Sequence, residues 1–422
     1  MHPTAVVMNM SYTGLGIARS LGEQGIPVIG LSAQHGIAGN FTRYAKTVIA
    51  PDSRNEPEAL AAWMLQMGKD FEHRAVVFPT RDHDVLFLDR YREELNRYFI
   101  LVVPESPVIK ACLDKWETYM WAQRCGLAAP KSWLVEKKPD LLRITDAISY
   151  PCVLKPVSAH QWRAANRWQA VGSRKAIVVS SPEQLLSEYE AVARFDPRVL
   201  VQEEIPGGDH CLVIAACYMD RKSEFVAGFN TQKLLQIPEG YGTGCIVQAV
   251  DRPELHEPTV RLLQKMGFSG IAEVEYKLDA RSGEYQLIEI NPRPWDQHRL
   301  GKSCGTDLIY LAYCDYAVLA RPSFKRTASD QKWIADDAFL LTVIGMLWKR
   351  DARLGAVLRL ARGKRMYGIW SVKDPLPLLA LLFWNVIPAL FATGLKVIRA
   401  PFAKKLPGET LQKRGLRLWG RY

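Results

Sequence analysis

The stretch from Gly270 to Trp295 constrains this chain more than any other. It reads GIAEVEYKLD, then ARSGE, then YQLIEINPRPW. Both ends are apolar runs of strand length, and Pro292 closes the second because proline cannot donate to a ladder. Successive side chains on a strand point to opposite faces, so Glu289 and Asn291 share a face, and Glu273 and Glu275 do the same. Paired as a hairpin, the two strands set Glu275 beside Glu289. Carboxylates that close repel unless a cation lies between them. A carboxylate with an amide oxygen is also what a hard ion such as Mg2+ prefers. Arg293, just past the strand, is placed to reach a phosphate or an acyl phosphate. The competing reading, charges on a surface hairpin, needs the acids and the Asn-Pro-Arg stop to coincide by chance.

The first 110 residues alternate apolar runs with helical patterns. TAVVMNM, IPVIGLS and AVVFPT read as strands, LGIARSLGEQG and the stretch around Leu60–Met67 as helices. DVLFLDRYREELNRYFILVVP adds one more of each. Such alternation predicts a parallel sheet with helices on its faces. In YTGLGIARS, Gly14 and Gly16 match the first two glycines of a dinucleotide fingerprint, but Arg19 takes the third place. The next strand ends in Ser32 rather than an acid, which argues against a redox dinucleotide. A helix follows and ends at Gly126, ahead of Pro130. From YPCVLKP to about Arg321 the pattern is mixed. Strands are expected at Cys152–Lys155, Ala176–Val179, Val199–Gln202, Cys211–Tyr218, Ala272–Leu278 and Tyr285–Ile290, with helices at Pro182–Arg194 and Pro253–Met266. PEGYGTG reads as a mobile loop.

Charge is distributed unevenly. Of 55 Lys and Arg and 44 Asp and Glu, 17 and 5 fall between Gln331 and Tyr422, so the last fifth carries +12 and the rest −1, for a net charge of +11. Its basic residues are interleaved with Leu, Trp, Phe and Val, as in LGAVLRLARGKRMYGIW. That suits an anionic membrane surface better than a nucleic acid, and no nucleic-acid partner is expected. Pro375–Leu395 carries no charge, but Pro375, Pro377, Asn385 and Pro388 argue for an interfacial or re-entrant segment over a spanning helix. The eight cysteines form no Cys-x-x-Cys pair and read as buried thiols. MHPTAVVMNM has no basic n-region, so no cleaved leader is expected there.

GIAEVEYKLD followed by EINPRPW resembles the metal-binding end of the ATP-grasp superfamily. LDKWETYMWAQRCGLAAP, YPCVLKP and VLVQEEIPGGDHCL resemble its two lysine-bearing elements and its hinge strand, in the family's order. The likeness runs from about Val6 to Leu319 and is greatest to carboxylate–amine ligases, whose N-terminal domain FPTRDHDVLFLDRYREEL is also similar. It implies a parallel-sheet α/β domain at residues 1–110 and a two-lobed α+β ATP-grasp domain at 111–325. A basic, apolar helical module would follow at 326–422.

The resemblance also implies residue roles. Lys115 and Lys155 would meet the α- and β-phosphates, the amide of Gln202 the adenine amino group, and the backbone of Glu203 and Ile205 the rest of the base. Asp209 would accept the ribose hydroxyls. Lys233 and Arg293 would serve the γ-phosphate and the acyl phosphate. Glu275, Glu289 and Asn291 would hold Mg2+, as two ions, with Mn2+ as a substitute. The loop around Gly14 helps bind the non-nucleotide substrate in the resembled enzymes. One departure stands out: the glycine-rich flap is replaced by VSAHQWRAANRWQAVGSRK, where Arg163, Arg167 or Lys175 would cover phosphates in place of backbone amides.

The expected function is an ATP-dependent ligase. It would activate a carboxylate as an acyl phosphate and couple it to an amine, either substrate being a small molecule or lipid-linked. The expected setting is the cytoplasm, at the inner face of the cell membrane, with a homodimer allowed. The alternative is a non-catalytic nucleotide-binding module recruited to a membrane.

Overall fold

The computed structural model describes residues 2–162, 171, 175–238, 240 and 242–388. The apolar runs near the N-terminus form β1 (Ala5–Met8), β2 (Val28–Ser32), β3 (Lys46–Ile49), β4 (Ala75–Phe78) and β5 (Phe99–Leu101). They make one parallel sheet in the order β3-β2-β1-β4-β5. Helices α1 (Tyr12–Gly22), α2 (Pro57–Gly68) and α3 (Asp82–Arg90) connect them. Ala5 and Val7 enter one core cluster while Val6 and Met8 enter another. A strand covered on both faces has no polar side, which is why TAVVM is apolar without alternation.

The helix expected to end at Gly126 is two, α4 (Ser106–Leu113) and α5 (Lys115–Cys125). Asp114 breaks it by accepting from the N–H groups of Trp116 and Glu117, a side-chain cap that starts the second helix. Lys115 is thereby put in the first turn of α5. Gly126 ends it in the left-handed conformation at φ 66°.

Two antiparallel sheets follow. In the smaller, β6 (Ser132–Val135), β7 (Cys152–Pro156), β8 (Ile177–Val179) and β9 (Val199–Glu203) run in the order β6-β9-β7-β8 and pack on α6 (Pro182–Ala193). The larger sheet contains β10 (Leu212–Met219), β11 (Phe225–Ile237), β12 (Thr243–Val250), β13 (Gly270–Asp279) and β14 (Glu284–Asn291). One face, with Val213, Ala215, Val274 and Tyr276, packs on α5 and α7 (His256–Lys265). The other, with Ile214, Ala216, Phe229 and Val247, shares a core with the N-terminal sheet and α8 (Leu308–Tyr316).

The larger sheet does not stop at residue 325. β15 (Lys332–Ile334) pairs with β12 and β16 (Arg365–Tyr367) with β15, giving the order β14-β13-β10-β11-β12-β15-β16. α9 (Asp336–Lys349), α10 (Leu354–Leu360) and α11 (Leu376–Leu381) complete the described C-terminal region. Among the described residues no helix is long and apolar enough to cross a membrane. All eight cysteines are buried and unbonded.

Candidate active site

The hairpin of β13 and β14 has the register that its alternation implied, with Glu275 opposite Glu289 and Glu273 opposite Asn291. All four project toward the face shared with the N-terminal domain. Lys233 comes to the same place from β11, a strand rather than a loop, and its ammonium lies 2.5 Å from Glu275. Lys115 reaches down from α5 to within 3.6 Å of Glu289. The expected repulsion between Glu275 and Glu289 is thus relieved by a lysine on each.

Lys155 approaches from the smaller sheet. Cys152 and Leu154 enter that lobe's core, so Lys155 faces the opposite way, toward the acids. Burial, with the charge of Lys115 added, lowers its ammonium to about 7, while Glu289 and Glu275 pull it upward. Its partner is Gln202, whose Oε1 accepts from Nζ at 2.6 Å while Nε2 donates to Ser132 Oγ at 2.8 Å. Both ends of the amide of Gln202, expected at the adenine amino group, are engaged here in holding Lys155. The N–H of Glu203 is likewise spent on Lys131 O at 2.9 Å, and Ile205 is buried. Asp209 accepts from the N–H of Gln236 at 2.6 Å, its Nε2 at 2.9 Å and the N–H of Gly240 at 3.4 Å. Here it staples the end of β11.

Electrostatics separate the acids. Burial pushes Glu289 up, but Lys115, Lys233, Lys175 and the Asn291 amide outweigh it and hold the carboxyl down at about 2. Glu273 goes the other way: burial raises it to about 8, and Arg293 and Lys233 do not offset that. Asn291 Nδ2 donates to Glu273 at 3.1 Å and Glu289 at 3.3 Å, and its Oδ1 accepts from Arg293 at 3.4 Å. Arg293 is anchored on Asp82, in the first turn of α3, at 2.7 Å. That bond spans 211 residues and joins the site to the N-terminal domain. A second link runs from Thr13 Oγ1 to Asp296 at 2.7 Å. Neither acid was singled out from sequence, and no local pattern marks them.

Among the described residues no three His, Cys, Asp or Glu side chains form a ready-made metal cage. The donors still fit Mg2+, which characteristically takes one or two carboxylates and completes its shell with water and substrate phosphates. Glu273, short of positive charge, fits the same demand. Arg163 and Arg167, named for the flap, lie outside the described residues; Lys175 is described and acts on Glu289.

Lys155 yields a measurable expectation. At about pH 8 most of it is neutral, and phosphates beside it favour the charged form, so metal-free ATP should bind with uptake of close to one proton. Below about pH 6 the lysine is already charged and the uptake should vanish. Calorimetry in buffers of different ionisation enthalpy reads this directly. Lys155→Met should abolish the uptake and weaken binding by roughly 10- to 100-fold.

Three lysines from three elements are interleaved with acids of one hairpin between the two sheets, an arrangement whose charges suit a polyphosphate with a divalent cation. Residues 219–314 match the family model described as carbamoyl-phosphate synthase L chain, ATP binding domain. A D-aspartate ligase of Enterococcus faecium is 24% identical over 66% of this chain and 68% of its own length. A D-alanine–D-alanine ligase of Ectopseudomonas mendocina is 25% identical over 43% of this chain and 56% of its own. Among solved structures, biotin carboxylase of Campylobacter jejuni superposes with a TM-score of 0.62 at 15% identity, covering 77% of this chain and 74% of that one. The chain is thus similar to ATP-binding proteins of this kind, in sequence over residues 219–314 and in overall fold. The relatives it resembles in sequence are ligases by name. The chain spans little more than half of the D-alanine–D-alanine ligase.

Proposed function

We propose that the chain joins a small carboxylic acid, an amino acid in the first instance, to an amine at the face where Lys115, Lys155 and Lys233 meet Glu275, Glu289 and Asn291. That interleaving carries the reading, since a protein that only sensed nucleotide would have no need of the acids. Lys115 and Lys155 bind the α- and β-phosphates. Base recognition falls to the hinge, with the Glu203 carbonyl accepting, the Ile205 N–H donating, and Gln202 acting through Lys155. Glu275, Glu289 and Asn291 hold Mg2+, two ions in this reading and replaceable by Mn2+, which supplies neutralisation of the phosphate charge.

An oxygen of the acid attacks the γ-phosphorus as the bond to the β-phosphate oxygen breaks, and ADP leaves with that electron pair. Arg293 and Lys233 stabilise the charge on the acyl phosphate. The amine then attacks the acyl carbon, phosphate departs with the C–O electrons, and the amine's proton is lost to phosphate or water. No nucleophilic side chain is called for. The amine is a small molecule or lipid-linked, and the place of work is the cytoplasm at the inner face of the membrane.

ADP release from Mg-ATP with pooled amino acids, small carboxylates and amines tests the reading. It expects a pool in which ADP, phosphate and a new amide appear in equal amounts. Tight Mg-ATP binding with no pool raising ADP, a lipid extract included, would hand the chain to the nucleotide-binding-module alternative.

A further inference from the structure

We infer that the outer face of the C-terminal helical segment is a docking surface for an anionic lipid bilayer. From Leu376 to Val386 the chain is continuously helical, α11 passing into a π turn. Its inner face is occupied: Leu381 and Val386 are buried with Leu15, Ala38 and Ile369. Among the described residues its outer face is exposed. Leu376, Leu379, Phe383 and Ile387 recur at helical spacing, exposed by 54, 58, 72 and 42%, and Trp384 lies beside them. A stripe of this size on one face of one helix calls for a partner.

The chemistry around it favours lipid. No charged residue interrupts Pro375 to Pro388, and Lys373 is exposed at its start. The sequence after it, 389–422, holds Lys396, Arg399, Lys404, Lys405, Lys413, Arg414, Arg417 and Arg421 against the single acid Glu409. Aliphatic and aromatic side chains flanked by basic ones match a bilayer interface with anionic headgroups. A second copy of the chain would bring two such basic stretches together with little acid to pair them, and repel itself. Pro375, Pro377, Asn385 and Pro388 disfavour a straight spanning helix, so the segment lies along the surface.

The surface does not depend on the ligase reading, so the test is run without substrate. The full chain is floated with phosphatidylcholine vesicles, with and without about a third of phosphatidylglycerol, at about 0.1 and 0.5 M salt. Binding is expected only with the anionic vesicles and should weaken several-fold at the higher salt. Leu379→Glu with Phe383→Glu should lower it by about ten-fold or more with an unchanged melting temperature. Should the pair misfold, Phe383→Ser is floated in the same way. Equal binding by wild type and variants overturns the proposal. So does a wild-type dimer, dissociated by the same substitutions, that ignores vesicles, which would assign the stripe to a second copy.

Discussion

Glu289→Ala is expected to cut ADP release by about a thousand-fold, the scale on which metal-held or preorganised charge contributes to phosphoryl transfer. Three lysines hold Glu289 at about 2, so it is ionised at every working pH and always available to a cation. Its loss should leave the fold standing, because the side chain is about a third exposed and its ion pair with Lys115 is 3.6 Å long. The effect on nucleotide should be opposite in sign. Without Glu289, Lys115, Lys155, Lys175 and Lys233 confront fewer acids, so metal-free ATP should bind at least as tightly as to wild type. Added magnesium should then give the variant little further affinity. Glu289→Gln, which keeps the volume, should behave the same way. Wild-type turnover by either variant would remove Glu289 from the metal site.

How far the sequence discloses this site varies by element. The acidic end of the hairpin was legible because Glu273 and Glu275 alternate on one strand and Glu289 and Asn291 on the other before Pro292. The irregularity between Glu275 and Tyr276, which puts Leu287 and Ile290 in one core, was not. Lys155 was legible as the charged end of an apolar strand. β11 and β12 were not. FNTQKLLQI is polar and broken by Asn and Gln, and it becomes a strand because β10 and β12 satisfy its backbone on both sides while Thr231 and Asn230 are buried. Tertiary pairing overrides propensity there, and it turns Lys233 from a candidate loop residue into a fixed one.

The polar ties between domains were invisible for another reason. Arg293 with Asp82 and Thr13 with Asp296 connect residues more than two hundred positions apart and depend on how finished domains dock. No period encodes that. The glycines of YTGLG show the converse, a local pattern with a different cause. A Cβ on Gly14 would lie 1.9 Å from Asn9 O, and one on Gly16 2.6 Å from His298 Nε2. Both positions are small because protein, not a pyrophosphate, fills the space.

Arg19, which occupies the fingerprint's third place, should be among the costliest side chains to remove. Arg19 and Asp374 are each 1% exposed and 2.9 Å apart. The guanidinium also donates to Ile369 O at 2.6 Å, and Asp374 accepts from Thr42 Oγ1 at 2.6 Å and the N–H of Arg43 at 3.0 Å. This saturated pair fastens the segment leading into α11 onto α1. Arg19→Ala strands a buried carboxylate and should cost about 3–5 kcal/mol, read as a lower urea midpoint. Arg19→Met combined with Asp374→Leu removes both charges at similar volume and should recover most of that loss, since an apolar replacement of a buried pair is often neutral. A double variant as weak as the single would mean that the hydrogen bonds to the 368–374 backbone, not the ion pair, hold the C-terminal region in place.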